Sequence, residues 1–260
     1  MKTKYFVLVF LISTLSFQDA FSQFGFSHEV GVIAGPVVFY SDYGQRNDIE
    51  TNMGNVGYGI GLIHYLNFAY RADCNCYTRD TYFNDHFKVR NEISYHKTNL
   101  EHLGKWVDPS RTSLIADQLR GMKGSTSVFD IGSQLEYFPL SIRDFVAGSY
   151  KIAPFVSLGA HWVNYSPDNY TEFVPTQIGQ PLYPEKYGED SRTTEPGSTW
   201  SVVWSAGFRY KLTRMSDLML DGRWQHYFSN WVDGLNPDVP ENKANDWIFW
   251  LNVGYILYLD

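Results

Sequence analysis

The stretch "HFKVRNEISYH", residues 86–96, alternates between two kinds of side chain. Phe87, Val89, Ile93 and Tyr95 are apolar or aromatic, and the positions between them hold Lys88, Arg90, Glu92 and Ser94. This alternation predicts a β-strand with one apolar and one polar face. In a soluble sheet the apolar face meets a core, whereas in a barrel that spans a bilayer it meets lipid and the charges point into the lumen. The rest of the chain decides between these two arrangements.

The first 22 residues predict a secretory signal peptide. Lys2 and Lys4 precede an apolar run over 5–17, and Ala20 and Ser22 form a small-residue cleavage site before Gln23. The run is shorter than the roughly 20 residues that a membrane helix needs. We therefore expect export, with a mature chain of residues 23–260 as one domain.

The mature chain is acidic and rich in aromatic residues. Removing Lys2, Lys4 and Asp19 from the 21 basic and 28 acidic residues leaves a net charge of −8, which disfavours nucleic acid as a partner. The whole chain contains 19 Tyr and 8 Trp, residues that favour membrane interfaces. No later segment is apolar enough for a membrane helix, so a membrane form must be a closed barrel.

Alternating segments recur eight times, at 29–40, 56–68, 86–96, 127–138, 152–163, 200–212, 218–228 and 247–259. The connections 41–55, 97–126, 164–199 and 229–246 are mostly longer than 69–85, 139–151 and 213–217. An even strand number with long loops at one end is typical of outer-membrane barrels. We predict an all-β fold, an eight-stranded antiparallel transmembrane up-and-down β-barrel with long extracellular loops.

The two faces of these segments carry different chemistry. Aromatic residues that suit interface girdles lie on the apolar faces, among them Tyr40, Tyr58, Trp162, Trp200, Tyr210, Trp247 and Tyr255. The polar faces carry five basic and five acidic residues: Glu29, Lys88, Arg90, Glu92, Asp130, Glu136, Arg209, Lys211, Asp221 and Arg223. A balanced set in a narrow barrel predicts a luminal ion-pair network rather than a wide pore.

The hairpin of the sixth and seventh segments has the shortest connection. If its turn centres on Met215, Arg209 faces Asp221 and Gly207 faces Arg223. We therefore expect a cross-strand ion pair between Arg209 and Asp221.

Other chemical signals are weaker, and we predict no catalytic residue, cofactor or metal site. Cys74 and Cys76 lie in a periplasmic connection and form either a disulfide or free or partner-bridging thiols. A surface lipid enzyme would need a serine, a histidine and a carboxylate that converge. The candidate histidines are His64, His161 and His226, and no nucleophile motif accompanies them. The acidic loop residues Asp42, Asp48, Glu50, Asp238 and Glu241 lack the spacing of a known calcium loop, so solvated charge is the expectation.

Two long loops carry further patterns. Leu114, Ile115, Leu119 and Met122 recur at helical spacing. Residues 164–199 hold several tyrosines among prolines, which indicates either a docking surface or a lid over the barrel.

Three segments resemble known proteins: "HEVGVIAGPVVFYSDYG" at 28–44, the glycine-striped second strand, and "NVGYILYLD" at 252–260. Together they are similar to small outer-membrane barrels of Bacteroidota, some of which are subunits of type IX secretion or barrel-assembly machinery. Asp260 departs from the aromatic last residue common in proteobacterial barrels.

The resemblance implies a non-catalytic outer-membrane subunit that contacts lipid and, through its loops and wall, other outer-membrane or periplasmic proteins. A lipid-modifying enzyme and a small pore or ligand-binding barrel remain as alternatives.

Overall fold

Eight antiparallel strands close into one barrel, in which each strand pairs with the next and the last pairs with the first. The computed structural model describes residues 26–45, 48–68 and 81–259. The strands are β1 Ser27–Tyr40, β2 Val56–Asn67, β3 Phe87–Glu101, β4 Met122–Tyr137, β5 Ile152–Thr171, β6 Gly197–Lys211, β7 Ser216–Tyr227 and β8 Trp247–Tyr258. The predicted fold class is confirmed.

Two predicted features lie outside the described residues: the signal peptide at 1–22 and the pair Cys74 and Cys76. Where the structure does describe helices, each is too short or too polar to cross a bilayer.

Alternation along each strand sorts the side chains as the sequence predicts. On β2, Gly57, Gly59 and Gly61 point inward and are buried, whereas Tyr58, Ile60 and Leu62 are exposed on the outer wall. A Cβ added at Gly59 would lie 2.4 Å from the ring of Trp250, which is fully buried in the lumen. The glycine face of β2 therefore makes room for this large side chain.

Four strands extend beyond their predicted bounds, at the end of the barrel opposite the start of β1 at Ser27 and the end of β8 at Tyr258. We name this the loop end, and the other the terminal end. Here β3 continues to Glu101 and pairs with Lys123, and β5 continues to Thr171 and pairs with Met122. The outward residues Lys97 and Asn99 are polar, so hydropathy alternation stops although pairing continues. The predicted loops 97–126 and 164–199 are therefore too long.

Short helices lie in the connections. At the terminal end, α1 spans Tyr82–His86, before β3. At the loop end, α2 spans Leu114–Gly121, beginning after Ser113, whose hydroxyl accepts from the N–H of Ala116. Back at the terminal end, α3 spans Ile142–Ala147 and ends at Gly148, whose φ of +86° suits glycine.

The β6–β7 hairpin has a different register from the predicted one. Arg209 pairs with Met219 and Gly207 with Asp221, so the turn centres on Arg214 and not Met215. The N–H groups of Leu212 and Thr213 both donate to the carbonyl of Ser216. The predicted pairing of Arg209 with Asp221 is wrong. A shift of two residues leaves every side chain on the same face, so the apolar pattern does not distinguish the two registers.

Candidate functional site

The lumen is the most densely charged region of the molecule. All ten predicted luminal charges point inward, and nine are buried; Lys211, near the terminal end, is partly exposed. Asp217, also buried on this face, was missed because the predicted seventh strand began at residue 218, two residues after the observed start at Ser216. Uncharged polar residues join the set, among them Gln134, Gln225, His96 and Asn252.

Two ion pairs cross the whole lumen. Arg90 on β3 lies 3.1 Å from Asp221 on β7, and Arg223 on β7 lies 2.5 Å from Glu92 on β3. In the closed sheet three strands separate β3 from β7 on either side, so these strands face each other across the diameter. Side chains from opposite walls therefore meet in the middle of the barrel.

A second group of ion pairs lies towards the terminal end. Glu29 on β1 accepts from Lys88 and Arg209, both at 2.6 Å, and Arg209 also lies 3.4 Å from Glu136. Lys211 lies 3.5 Å from Asp217. The charged end of Arg209 stacks on the buried ring of Tyr65 at 4.1 Å. Burial without such pairing would cost several kcal/mol per charge, so the pairing is what makes the charged interior tolerable.

Apolar residues close the terminal end. Ile142 and Phe145 on α3 are buried, together with Phe138 and Phe155. The ring of Phe138 lies 5.7 Å from that of Phe155 and 5.5 Å from the Lys88 ammonium, directly below the ion pairs. Helix α3 thus packs its apolar face under the network.

Loops cover the opposite end. The Tyr187 hydroxyl donates to the Asp42 carbonyl at 2.9 Å, and the rings of Tyr43 and Tyr187 lie 5.1 and 5.4 Å from that of His102. From the last loop, the carbonyl of Val232 accepts from Thr126 of β4 at 2.6 Å. Residues of all four loops at this end therefore meet over the mouth.

The loop over 172–196 combines a buried base with an exposed tip. Tyr187 is fully buried, and Gln118 on α2 donates to the carbonyls of Pro181 and Tyr183 at 2.6 and 3.3 Å. Val174, Ile178 and Leu182 are exposed, Val174 by 77%. The base of the loop therefore covers the barrel as a lid would, and docking by the exposed tip stays a prediction.

The three histidines considered for lipid chemistry do not converge. His161 is buried in the lumen, 3.3 Å from Gln134, whereas His64 lies on the outer face of β2, 3.1 Å from His28. His226 is exposed on β7. Ser157, the serine nearest in sequence to His161, bonds to Gln134 and Ser205 instead.

Among the acidic loop residues, Asp42 differs from the expectation of solvated charge. Asp48 and Asp238 pair with the exposed Lys105 and Lys243, at 3.5 and 3.3 Å. Glu50 and Glu241 are exposed. Asp42, in contrast, is buried together with two aspartates that the sequence did not single out, Asp233 and Asp246.

The electrostatics of these three buried aspartates are unusual. Burial raises the pKa of Asp42, and the carboxylate of Asp233 raises it further. Burial likewise raises the pKa of Asp246, with Asp233 and Asp42 adding to the effect. In the described residues, no group of three or more His, Cys, Asp or Glu side chains has the geometry of a metal site.

No protein-family model and no curated protein sequence matches the chain. Among solved structures it is similar to Neisserial surface protein A, with 13% identity over 90% of this chain and 98% of that one, at a TM-score of 0.47. It is also similar to a major outer membrane protein from Thermus thermophilus, with 13% identity, 89% and 99% coverage and a TM-score of 0.44. A third is Ail, the attachment invasion locus protein of Yersinia pestis, with 10% identity, 90% and 99% coverage and a TM-score of 0.42. These are similarities of fold alone.

Proposed function

We propose that this chain is a non-conducting outer-membrane barrel that acts as a non-enzymatic structural or interaction subunit of a larger outer-membrane complex, in protein secretion or outer-membrane protein assembly. The observation that carries the proposal is the pair of ion bridges between β3 and β7. A barrel whose opposite walls touch has no water-filled path of porin width. Its activity is then expected on its outer surfaces.

The outer wall supports a membrane location. Large apolar side chains are exposed on every strand, including Val32, Leu62, Ile93, Ile131, Leu158, Trp204, Leu220 and Val253. Exposure of so many in contact with water would be unfavourable by roughly 25 cal/mol for each Å² of apolar surface. Charged residues lie inside, so the distribution is the reverse of that in a soluble barrel and suits lipid as the surrounding medium.

The tip of the loop over 172–196 supports a protein partner. The Gln180 side chain accepts from the N–H of Thr176 at 2.8 Å and of Gln177 at 3.2 Å, which gives the tip its own turn. The tip therefore presents Ile178, which is fully exposed, from an ordered loop whose base is buried. Exposed apolar side chains held in place are typical of an interaction site.

Conductance tests the sealed lumen. We expect the purified full-length chain in a planar lipid bilayer to give no stable current steps at 1 M salt. Reproducible single-channel steps from the wild-type protein would instead favour a small pore.

Copurification tests the interaction role. The tagged protein, extracted from native membranes in mild detergent, should retain specific partners, and the triple variant Val174→Ser/Ile178→Ser/Leu182→Ser should lose them while remaining folded. The control Thr176→Ser/Gln177→Ser changes polar residues of the same tip and should retain them. Partners that survive the triple change would place docking on the wall or the terminal end, and a wild-type protein that copurifies with nothing would contradict the subunit role. A deletion of 167–197 is unsuitable, because it removes strand residues of β5 and the buried Tyr187.

A further inference from the structure

A row of polar side chains crosses the outer wall of four neighbouring strands. The rings of His28 on β1 and His64 on β2 approach to 3.1 Å, nitrogen to nitrogen. The amide nitrogen of Asn91 on β3 lies 3.4 Å from the other ring nitrogen of His64, and the Ser133 hydroxyl on β4 donates to the amide oxygen of Asn91 at 2.7 Å. His64, Asn91 and Ser133 are directly opposed in the strand register. We name these four residues the wall row.

The centre of the wall row lies near mid-depth of the apolar wall. Asn91 and Ser133 each stand four residues from an outward aromatic ring in both directions along the strand. These rings are Phe87 and Tyr95 on β3, and Phe129 and Tyr137 on β4. Eight residues of strand cover about 27 Å, which at a tilt of roughly 40° is roughly 20 Å of the bilayer normal. Both polar side chains therefore lie well inside the hydrocarbon region.

Contact with lipid does not satisfy these side chains. Ser133 is exposed on the outer wall, and Asn91 is partly exposed. A side-chain amide can make four hydrogen bonds, and Asn91 makes two among the residues that the structure describes. Hydrocarbon offers neither donors nor acceptors for the remaining N–H and lone pair, so exposure to lipid is unfavourable. A protein surface with polar groups at the same depth would satisfy them.

The two sides of the barrel differ in relief. On β6, β7 and β8, the rings of Trp204 and Trp224 stack with centroids 4.2 Å apart, and Phe249 follows at 4.8 Å. Beside the wall row, Ala160 on β5 is directly opposed to Ser133. Small side chains let two transmembrane surfaces approach closely, and polar ones then bond across the contact. The side with the wall row therefore suits association within the membrane better than the aromatic side does.

We propose that the wall row is the interface of a homodimer, in which Asn91 and Ser133 of each copy bond to Ser133 and Asn91 of the other across a two-fold axis along the membrane normal. Amide, hydroxyl and imidazole groups each donate and accept, so the row is complementary to itself. Barrels of one kind insert with their long loops on the same side, so residues of equal depth meet. A second copy therefore always presents polar groups at mid-depth, whereas a different partner would need a rare polar residue in its own lipid-facing surface. The inference rests on the membrane location and not on the partner of the loop tip.

Cysteine cross-linking in lipid vesicles tests which side of the barrel faces the second copy. The background is the full-length chain with Cys74→Ser and Cys76→Ser. Ile131→Cys places a thiol on the outer wall of β4, two residues from Ser133, and Leu251→Cys is the matched control on β8, diametrically opposite. The two native side chains are similarly exposed, by 44% and 40%. A short bis-maleimide should give a covalent dimer with Ile131→Cys and several-fold less with Leu251→Cys, and equal yields would overturn the proposal.

Substitutions in the wall row separate dimer formation from folding. Asn91→Leu with Ser133→Ala should leave the barrel folded, by heat-modifiable mobility, and weaken the dimer, measured by energy transfer between labelled copies as vesicles are diluted with lipid. Each contact occurs twice in a symmetric dimer, so we expect the dissociation constant to rise on the order of tenfold. The control His226→Leu removes an exposed polar side chain from β7 and should leave the constant unchanged. Ser133→Ala alone is the second test if the double variant does not fold.

Three results would overturn the proposal. The first is a wild-type protein that stays monomeric at high protein-to-lipid ratio. The second is a row that only holds neighbouring strands together, for which the substitutions would lower the urea midpoint and leave the dimer intact. The third is an Ile131→Cys thiol that cross-links in native membranes only to a protein of different mass, which would assign the wall row to another partner.

Discussion

Arg90 and Asp221 meet at 3.1 Å across the barrel, although 131 residues separate them in the chain. Arg90 also lies 3.0 Å from Glu92 and 3.4 Å from Glu136, so one guanidinium contacts three carboxylates from three strands. All four side chains are fully buried. Arg90 therefore compensates the charge of several carboxylates in the luminal network at once.

The first prediction concerns this pair. Arg90→Ala should lower the free energy of unfolding by about 3–5 kcal/mol, because it leaves buried carboxylates unpaired. Adding Asp221→Ala should cost much less than the sum of the two single changes, because it removes one of those stranded charges. The free energy of unfolding is measured by urea titration in lipid vesicles, with heat-modifiable gel mobility as the readout of the folded fraction. Lys243→Ala, which breaks a solvent-exposed pair, is the control and should have no measurable effect. Additive effects of Arg90→Ala and Asp221→Ala would show that the two side chains are not coupled.

The second prediction tests the hairpin register. Phe208 and Leu220 are directly opposed on the outer wall. With Cys74→Ser and Cys76→Ser as background, Phe208→Cys with Leu220→Cys should form a disulfide on mild oxidation, because opposed Cβ atoms lie about 4.5–5.5 Å apart. Phe208→Cys with Gly222→Cys is the control and should not, since diagonal positions lie about 7–8 Å apart. Gel mobility with and without reductant shows which pair forms the disulfide. A disulfide in the control pair alone would mean that the turn centres on Met215.

The third prediction concerns the loop anchor. Gln118→Ala removes two hydrogen bonds from a buried amide to the carbonyls of Pro181 and Tyr183. We expect limited proteolysis within 172–186 to become several-fold faster, while the barrel remains protease-resistant, because the wall does not depend on these bonds. Gln177→Ala, at the exposed tip, is the matched control. Cleavage at the wild-type rate would mean that other contacts hold the base.

The fourth prediction compares two glycines. Gly148 ends α3 with φ +86° in open space, whereas Gly188 has φ −60°. Gly148→Ala should destabilise the protein by about 1–2 kcal/mol through backbone strain alone. Gly188→Ala should be neutral or stabilising by about 0.4–1 kcal/mol. Urea midpoints of the two variants provide the comparison, and equal effects would argue against the left-handed end of α3.

The apolar pattern predicts which way side chains face but not where strands end. Facing is a property of every second residue, so Arg90 and Glu92 are assigned inward from the sequence alone. The upper parts of β3 and β5 were missed because their outward residues are polar: Lys97 and Asn99 on β3, and Asn164, Ser166 and Asp168 on β5. The apolar outer stripe that marks the lower parts of these strands is absent there.

The partners inside the lumen also lie beyond the reach of sequence patterns. Arg90 finds Asp221 because the barrel closes, and closure brings together residues whose spacing carries no periodic signal. The buried aspartates at the loop end were missed for a similar reason: Asp233 and Asp246 stand in a polar loop, and only the folding of loops over the mouth removes them from water.

The pairing of β1 with β8 has a consequence for the order of folding. Ion bridges between β3 and β7 are shielded from water only after the last strand has joined the first, so we expect these charges to remain hydrated until closure. These charges then lose their water after the folding transition state. Interactions that form after the transition state mainly slow unfolding and have little effect on the folding rate. Arg90→Ala should accelerate unfolding far more than it slows refolding into vesicles. A change in the refolding rate alone would mean that the bridges form before the transition state. Pairing of the last strand with the first is therefore expected to slow unfolding, which gives the folded barrel a long lifetime.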